Sequence, residues 1–166
     1  AGLASINTAK EGSSRVITQF LGHIVRGESI KLVDGGTQKR TFTYIDDGIA
    51  ALLKIIANER GIASGKIYNI GNPANNFSVR ELATMMLDLA LTYPEYRGTA
   101  ERVQLVETTA DRYYGSGYQD VQNRVPGIAN TCADFGWQPR VAMAEALQRI
   151  FDAYRGQVAA ARHLVD

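Results

Sequence analysis

The stretch that most constrains this chain is SIKLVDGGTQKRTFTYIDDGIAALLKIIANE, residues 29–59, because its periodicity changes twice. "SIKLVDGG" reads as a short strand running into a glycine turn, and "RTFTYI" alternates hydroxyls and rings as an extended segment does. "IDDGIAALLKIIANE" then takes up helical spacing, with Ile49, Ala50, Leu53, Ile56 and Ala57 on one face. Asp46 or Asp47 stands at its start, as an N-cap and as first-turn charge favoured by the helix macrodipole. Strand, turn, strand and helix in so short a space predict an α/β chain.

The remaining segments continue the alternation. "SSRVITQFLGHIVRG" places Val16, Ile17, Phe20, Leu21, Ile24 and Val25 at helical spacing, with Ser13 or Ser14 as N-cap and Gly27 as the stop. "GKIYNIGNP" reads as a buried strand ending in a loop. "FSVRELATMMLDLALTY" opens on Ser78 three residues before Glu81, a capping box. "ERVQLVET" is another strand, followed by a loop rich in glycine and tyrosine. A short helix near residues 127–135 and a last helix over about 142–160 complete the chain. The strands are few and short, fewer than a complete doubly wound sheet needs. The expected architecture is therefore mixed: short strands with packing helices, one part of a larger α/β assembly.

Composition narrows the function. With 166 residues, 18 basic and 17 acidic side chains and a net charge of +1, the chain has no single-sign field to hold a phosphate backbone, and nucleic acid is not an expected partner. Its lone cysteine, Cys132, allows no internal disulfide and points to a reducing, cytoplasmic setting. His23 and His163 lie far apart, and no metal-ligand spacing occurs. No segment approaches the roughly 20 apolar residues of a membrane span. "AGLASINTAKEGSS" has neither a basic start nor an apolar run and reads as the middle of a longer chain.

Several catalytic signatures are missing from the text. "GSGYQD" has Asp120 where a dinucleotide-binding loop has its third glycine, and no strand runs into it. None of the eight tyrosines has a lysine four residues on, and neither a nucleophile elbow nor a P-loop is present.

Individual residues carry competing readings. Arg40 offers a planar fork to phosphate oxygens, and Gly35 and Gly36 let backbone approach closely; the bland alternative is a surface arginine at a strand start. Lys31 and Lys39 are also placed as solvated strand-end lysines would be. Asp46 and Asp47 resemble an acid/base pair, but the helix start explains them more simply. Asn69 and Asn72 suit a turn. Tyr113 and Tyr114 read as the rim of a core, whereas Tyr118, in the glycine-rich loop, reads as a binding residue. Arg124 precedes "VP", so its backbone is not helical. Trp137, Met85, Met86 and His23 read as structural.

"DGGTQKRTFTYIDDGIAAL" resembles the corresponding stretch of extended short-chain dehydrogenase/reductases that act on nucleotide sugars, and "YNIGNP" before a capped helix is similar to that family's next element. "YYGSGYQDVQNRVP" more narrowly resembles the UDP-glucuronic acid decarboxylases that serve 4-amino-arabinose modification of lipid A in polymyxin resistance. The likeness runs from about Gly12 to Tyr154. It implies that residues 1–166 are the C-terminal, substrate-binding portion of an NAD-dependent enzyme whose N-terminal Rossmann half is absent from this sequence. The implied reaction oxidises UDP-glucuronate at C4, releases carbon dioxide and leaves a UDP-4-keto-pentose. The segment Lys31 to Arg40, including Gly35, Gly36, Gln38 and Lys39, would line the UDP site. Tyr118 would contact substrate, and Arg124 would serve the protonation after decarboxylation. Because an arginine pKa is about 12 or higher, electrostatic support of the enolate is the more economical role. The family's Ser/Thr, Glu and Tyr/Lys groups have no counterpart here. The chain alone is thus expected to bind no NAD and to be inactive, while the parent is expected to bind NAD and to form a homo-oligomer. Alternatives are a nucleotide-sugar epimerase or dehydratase of the same family, a non-catalytic UDP-sugar-binding module, or an oligomerisation piece using helices 14–26 and 46–59.

Overall fold

The computed structural model describes residues 15–115 and 121–159. They form two compact units, one drawn from the described residues of 15–38, 78–115, 121 and 147–159, the other from 39–77 and 122–146.

The first unit is an α/β packing of short elements. α1 (Val16–Arg26) begins on Arg15, which makes no side-chain cap, so the expected serine cap is corrected. Gly27 ends the helix at φ +70°, and its N–H donates to the Ile24 carbonyl. β1 (Ile30–Val33) pairs in parallel with β4 (Leu105–Thr108), Ile30 opposite Leu105 and Val33 opposite Thr108. Between these strands in sequence, Ser78 and Glu81 close the capping box that starts α3 (Val79–Thr92). α4 (Pro94–Ala100), which periodicity did not announce, starts with proline at its first helical position, where no N–H is needed. α5 (Ala110–Tyr114) follows β4.

Phe20, Leu21, Ile24 and Val25 from α1 are buried with Ile30 and Leu32 of β1 and with Leu82 and Met86 of α3. Tyr96 of α4 is fully buried; its ring lies 4.8 Å from that of Phe151, and its hydroxyl donates to the Phe151 carbonyl at 3.0 Å. Phe151 lies on α7 (Met143–Tyr154).

The second unit holds the short β2–β3 pair: β2 (Lys39–Thr41) beside β3 (Asn76–Ser78), whose last residue opens the capped helix of the first unit. It also contains α2 (Ile45–Ala57) and α6 (Ala129–Phe135). Two expectations change here. The N-cap of α2 is Tyr44, without a side-chain bond, and Asp47 turns inward instead. Its Oδ2 accepts from the N–H groups of Arg140 and Val141 at 3.0 and 2.9 Å, while its own carbonyl accepts from Trp137 Nε1 at 3.0 Å. An anion that satisfies two backbone donors ninety-odd residues away is worth more than one capping its own helix.

The segment 66–70 forms no strand, and Ile67 is 91% exposed. A strand needs a neighbour for its backbone groups, and no described residue pairs with this one. The segment is fixed by side chains. Tyr68 stacks edge-on against Phe135 at 4.8 Å, and both its hydroxyl and the Lys66 ammonium donate to Asp134, at 2.6 and 2.8 Å. Asn72 is an Asx turn, its Oδ1 accepting from Ala74 N–H, but its amide also donates to the Val141 carbonyl at 3.2 Å.

Among the described residues no helix is long and apolar enough to cross a membrane, and no His, Cys, Asp or Glu cluster is arranged to hold a metal ion.

Candidate functional site

The residues singled out in the sequence fall in both units. In the first, Lys31 is on the exposed side of β1, between buried Ile30 and Leu32. The glycine turn that follows is tightly built. Gly35 and Gly36 take φ +73° and +67°, which glycine adopts without strain. Arg80 Nε donates to the Gly35 carbonyl at 2.8 Å, and Arg80 also pairs with Glu107. A Cβ on Gly36 would lie 3.1 Å from Arg80 N and 3.2 Å from Leu32 Cδ2. This glycine is thus needed for packing of α3 onto the turn. Gln38 is 5% exposed, and its amide donates to the Val33 carbonyl at 3.2 Å, closing the turn from within.

In the second unit, Lys39, Arg40 and Thr41 make β2. A recess of about 520 Å³ is lined by Arg40, Thr41, Thr43, Asn69, Arg124 and the loop after it. Arg40 and Arg124, eighty-four positions apart in sequence, thereby share one wall. The rest of the lining is hydroxyls, an amide and backbone, with Ile70, Val125 and Pro126 as its apolar part. Arg40 Nη1 also donates to the Lys39 carbonyl at 2.8 Å, which fixes the root of its guanidinium. The size is that of an ordinary small-ligand site, and two guanidiniums among neutral hydrogen-bonding groups suit an anion with several oxygens.

The stretch 122–127 is tied to this wall at several points. The Lys39 N–H donates to the Gln122 carbonyl at 2.8 Å, the Thr41 hydroxyl to the Arg124 carbonyl at 2.9 Å, and the Asn69 amide to the Gly127 carbonyl at 3.1 Å. Thr41, Thr43 and Asn69 were not read as site residues; a threonine in a strand and an asparagine before "IGNP" carry no signal until the loop 122–127 is laid beside them. Tyr118 lies outside the described residues.

A second group of titratable side chains, Lys66, Tyr68 and Asp134, stands beside a recess of about 370 Å³. The hydrogen bonds from Lys66 and then Tyr68 hold the Asp134 carboxyl below its ordinary range. Partial burial, followed by the bond to Asp134, pushes the Tyr68 phenol up, while the bond to Asp134 raises Lys66. The three form a mutually satisfied knot: the carboxylate is held ionised and the phenol protonated.

Residues 2–71 match the model of the NAD dependent epimerase/dehydratase family. The chain has the fold of that class, seen in fragments of extended short-chain dehydrogenase and epimerase structures. Among solved structures it is similar to the PbgP3 protein of Burkholderia pseudomallei, with 62% identity and a TM-score of 0.78 over 95% of this chain and 43% of that one. It is similar in fold to an epimerase of Methanothermobacter thermautotrophicus (18% identity, TM-score 0.71, covering 91% and 40%). The same holds for the UDP-glucuronic acid 4-epimerase of Bacillus cereus in complex with NAD (20% identity, TM-score 0.60, covering 86% and 38%). The chain thus spans well under half the length of these structures.

The glycine pair that follows β1 does not fit a pyrophosphate at Gly36, where the Arg80 backbone and the Leu32 side chain already lie close.

Proposed function

We propose that this chain is the substrate-binding portion of an NAD-dependent UDP-glucuronic acid decarboxylase of the lipid A 4-amino-arabinose pathway. One observation carries the reading: Arg40 and Arg124, which the sequence resemblance assigns to the UDP site and to the chemistry respectively, line a single recess of ligand size. The likeness of the loop "YYGSGYQDVQNRVP" to decarboxylases supports the choice over other nucleotide-sugar enzymes of this fold.

In this reading Arg40 takes the diphosphate through its planar fork, with the Thr43 hydroxyl and the Asn69 amide completing the shell. Arg124 stands over the sugar and supports the negative charge that develops on the enolate when carbon dioxide leaves. NAD, when bound by the parent enzyme, would supply the hydride acceptor for oxidation of the sugar at C4.

The test is binding before turnover. UDP, UMP and uridine are titrated calorimetrically against the protein at its natural length. UDP is expected to bind at least about tenfold tighter than uridine, and Arg40→Ala to remove that advantage, with Arg40→Lys intermediate because an ammonium keeps the charge without the fork. Equal binding of UDP and uridine would sink the diphosphate assignment. With UDP-glucuronate and NAD, Arg124→Ala is expected to lower kcat by about a hundredfold or more while changing KM little, read as carbon dioxide release.

A further inference from the structure

We propose that Thr41, aided by Asn69 and Gly71, is a positioning residue that sets the register of the 122–127 strap and so places Arg124 on the recess beside Arg40; the proposal rests on the reading of that recess given above. The strap and β2 advance in step. Lys39 binds the Gln122 carbonyl through its backbone N–H, and two residues on, Thr41 binds the Arg124 carbonyl. The second rung, however, is made by a side chain. A backbone N–H is offered by any residue but proline, whereas a short hydroxyl donor is specific to serine and threonine. The register at Arg124 therefore depends on what occupies position 41, while the register at Gln122 does not depend on what occupies position 39.

Three further contacts hold the strap from its other edges. The Asn76 amide donates to the Asn123 side-chain oxygen at 3.2 Å, and the Asn69 amide donates to the Gly127 carbonyl at 3.1 Å. Pro126 rests directly on Gly71: a Cβ there would lie 2.3 Å from Pro126 Cγ, closer than any two such carbons approach, and a proline ring has little freedom to move aside. The strap itself has little apolar anchorage, for Arg124 and Val125 are exposed. Its place is therefore set by these few contacts, most of them polar, whose loss would let it shift by a residue or swing outward. Arg124 reaches the recess from the middle of this strap, so its position is only as well defined as the rungs on either side.

The geometry separates the strap's attachment from the ligand chemistry, and the experiment reads them separately. Thr41→Val keeps the shape and deletes the donor; Thr41→Ser restores the donor. Limited trypsin digestion, with masses identifying the cut, follows the Arg124–Val125 bond, and cleavage after the exposed Arg112 of the first unit serves as control. Thr41→Val is expected to speed cleavage at Arg124 by about fivefold with the control unchanged, and Thr41→Ser to behave as wild type. Carbon dioxide release from UDP-glucuronate with NAD, followed in the same variants of the protein at its natural length, is expected to fall about fivefold in kcat with little change in KM in Thr41→Val and to recover in Thr41→Ser. Cleavage unchanged in Thr41→Val, or equally faster at both sites, overturns the positioning role. So does faster cleavage at Arg124 with kcat intact. If the wild-type protein binds no UDP, the reading of the recess fails on its own, and the cleavage pattern still decides whether Thr41 sets the strap.

Discussion

The two units of this chain are held by different kinds of interaction. In the first, large apolar side chains from α1, β1, α3, α4 and α7 are fully buried, among them Tyr96, Phe151, Leu21, Ile24 and Leu82. In the second, the buried apolar set is small, with Ala51, Trp137, Val141, Met143 and Ala146, while Asp47, Asn72, Asn75 and Thr131 are buried and hydrogen-bonded to backbone. Its helix α2 buries Asp47 and Ala51 and leaves Ile45, Ile49, Leu52, Leu53 and Ile56 between 45% and 75% exposed. Packing defines the first unit and directional bonds define the second. A recess whose shape depends on where a loop is tied is the kind of site the second arrangement can build.

The contrast is broken most forcefully by truncating one anchor of each kind. Phe151→Ala removes a ring that is wholly buried against Tyr96, and is expected to cost about 3–5 kcal/mol in denaturant unfolding. Asp47→Ala strands the N–H groups of Arg140 and Val141 without an acceptor and is expected to cost about 2–3 kcal/mol. Trp137, the sole tryptophan of the sequence, donates to the Asp47 carbonyl and reports the second unit by fluorescence. Asp47→Ala should move that signal at least as far as the far-ultraviolet helix signal. A Phe151→Ala variant as stable as wild type would remove the distinction between the units.

Titration sharpens the same comparison. Burial pushes the Tyr96 phenol well above its ordinary value, with nearby acidic groups adding to the shift. The native state holds the neutral phenol, so this contribution is complete below about pH 10 and is lost as pH rises past it. Asp134 works in the opposite direction. Its carboxyl is depressed by Lys66 and Tyr68, so the stability it contributes is present above its ordinary value of 3.8 and lost as pH falls below it. Tyr96→Phe is expected to flatten the alkaline limb of stability, at a neutral-pH cost of about 1 kcal/mol for the lost bond to the Phe151 carbonyl. Asp134→Asn is expected to flatten the acid limb read at Trp137. An acid limb unchanged in Asp134→Asn would mean that the knot with Lys66 and Tyr68 contributes nothing.

These two units were not equally legible in the sequence. The first follows local rules closely: the α1 periodicity, the Gly27 stop, the Ser78–Glu81 capping box and the β1 and β4 segments can all be read from neighbouring residues. What sequence could not supply there was the parallel pairing of β1 with β4, a relation across seventy-odd residues. In the second unit the same rules go astray. Asp47 carries the signature of a helix start, and its actual partners are donors at 140 and 141. "GKIYNIG" has the composition of a buried strand, but composition does not provide the neighbour that a ladder requires. The recess shows both cases at once. Arg40 stood out by residue type and Arg124 through the family resemblance, whereas Thr41, Asn69 and Gly71 acquire meaning only when the strap is seen against them.

The smallest effect tests whether the exposed face of α2 contributes to the fold described here. Ile56 is 75% exposed, on the same face as Ile49 and Leu53. Apolar area that stays in contact with water contributes nothing through burial, and helix propensity differs little between isoleucine and lysine. Ile56→Lys is therefore expected to change unfolding stability by no more than about 0.5 kcal/mol, against several for Phe151→Ala. If Ile56→Lys instead costs as much as a core truncation, the face is buried in the protein at its natural length. The second unit would then be held by apolar packing as well, and the contrast with the first would belong only to the residues described.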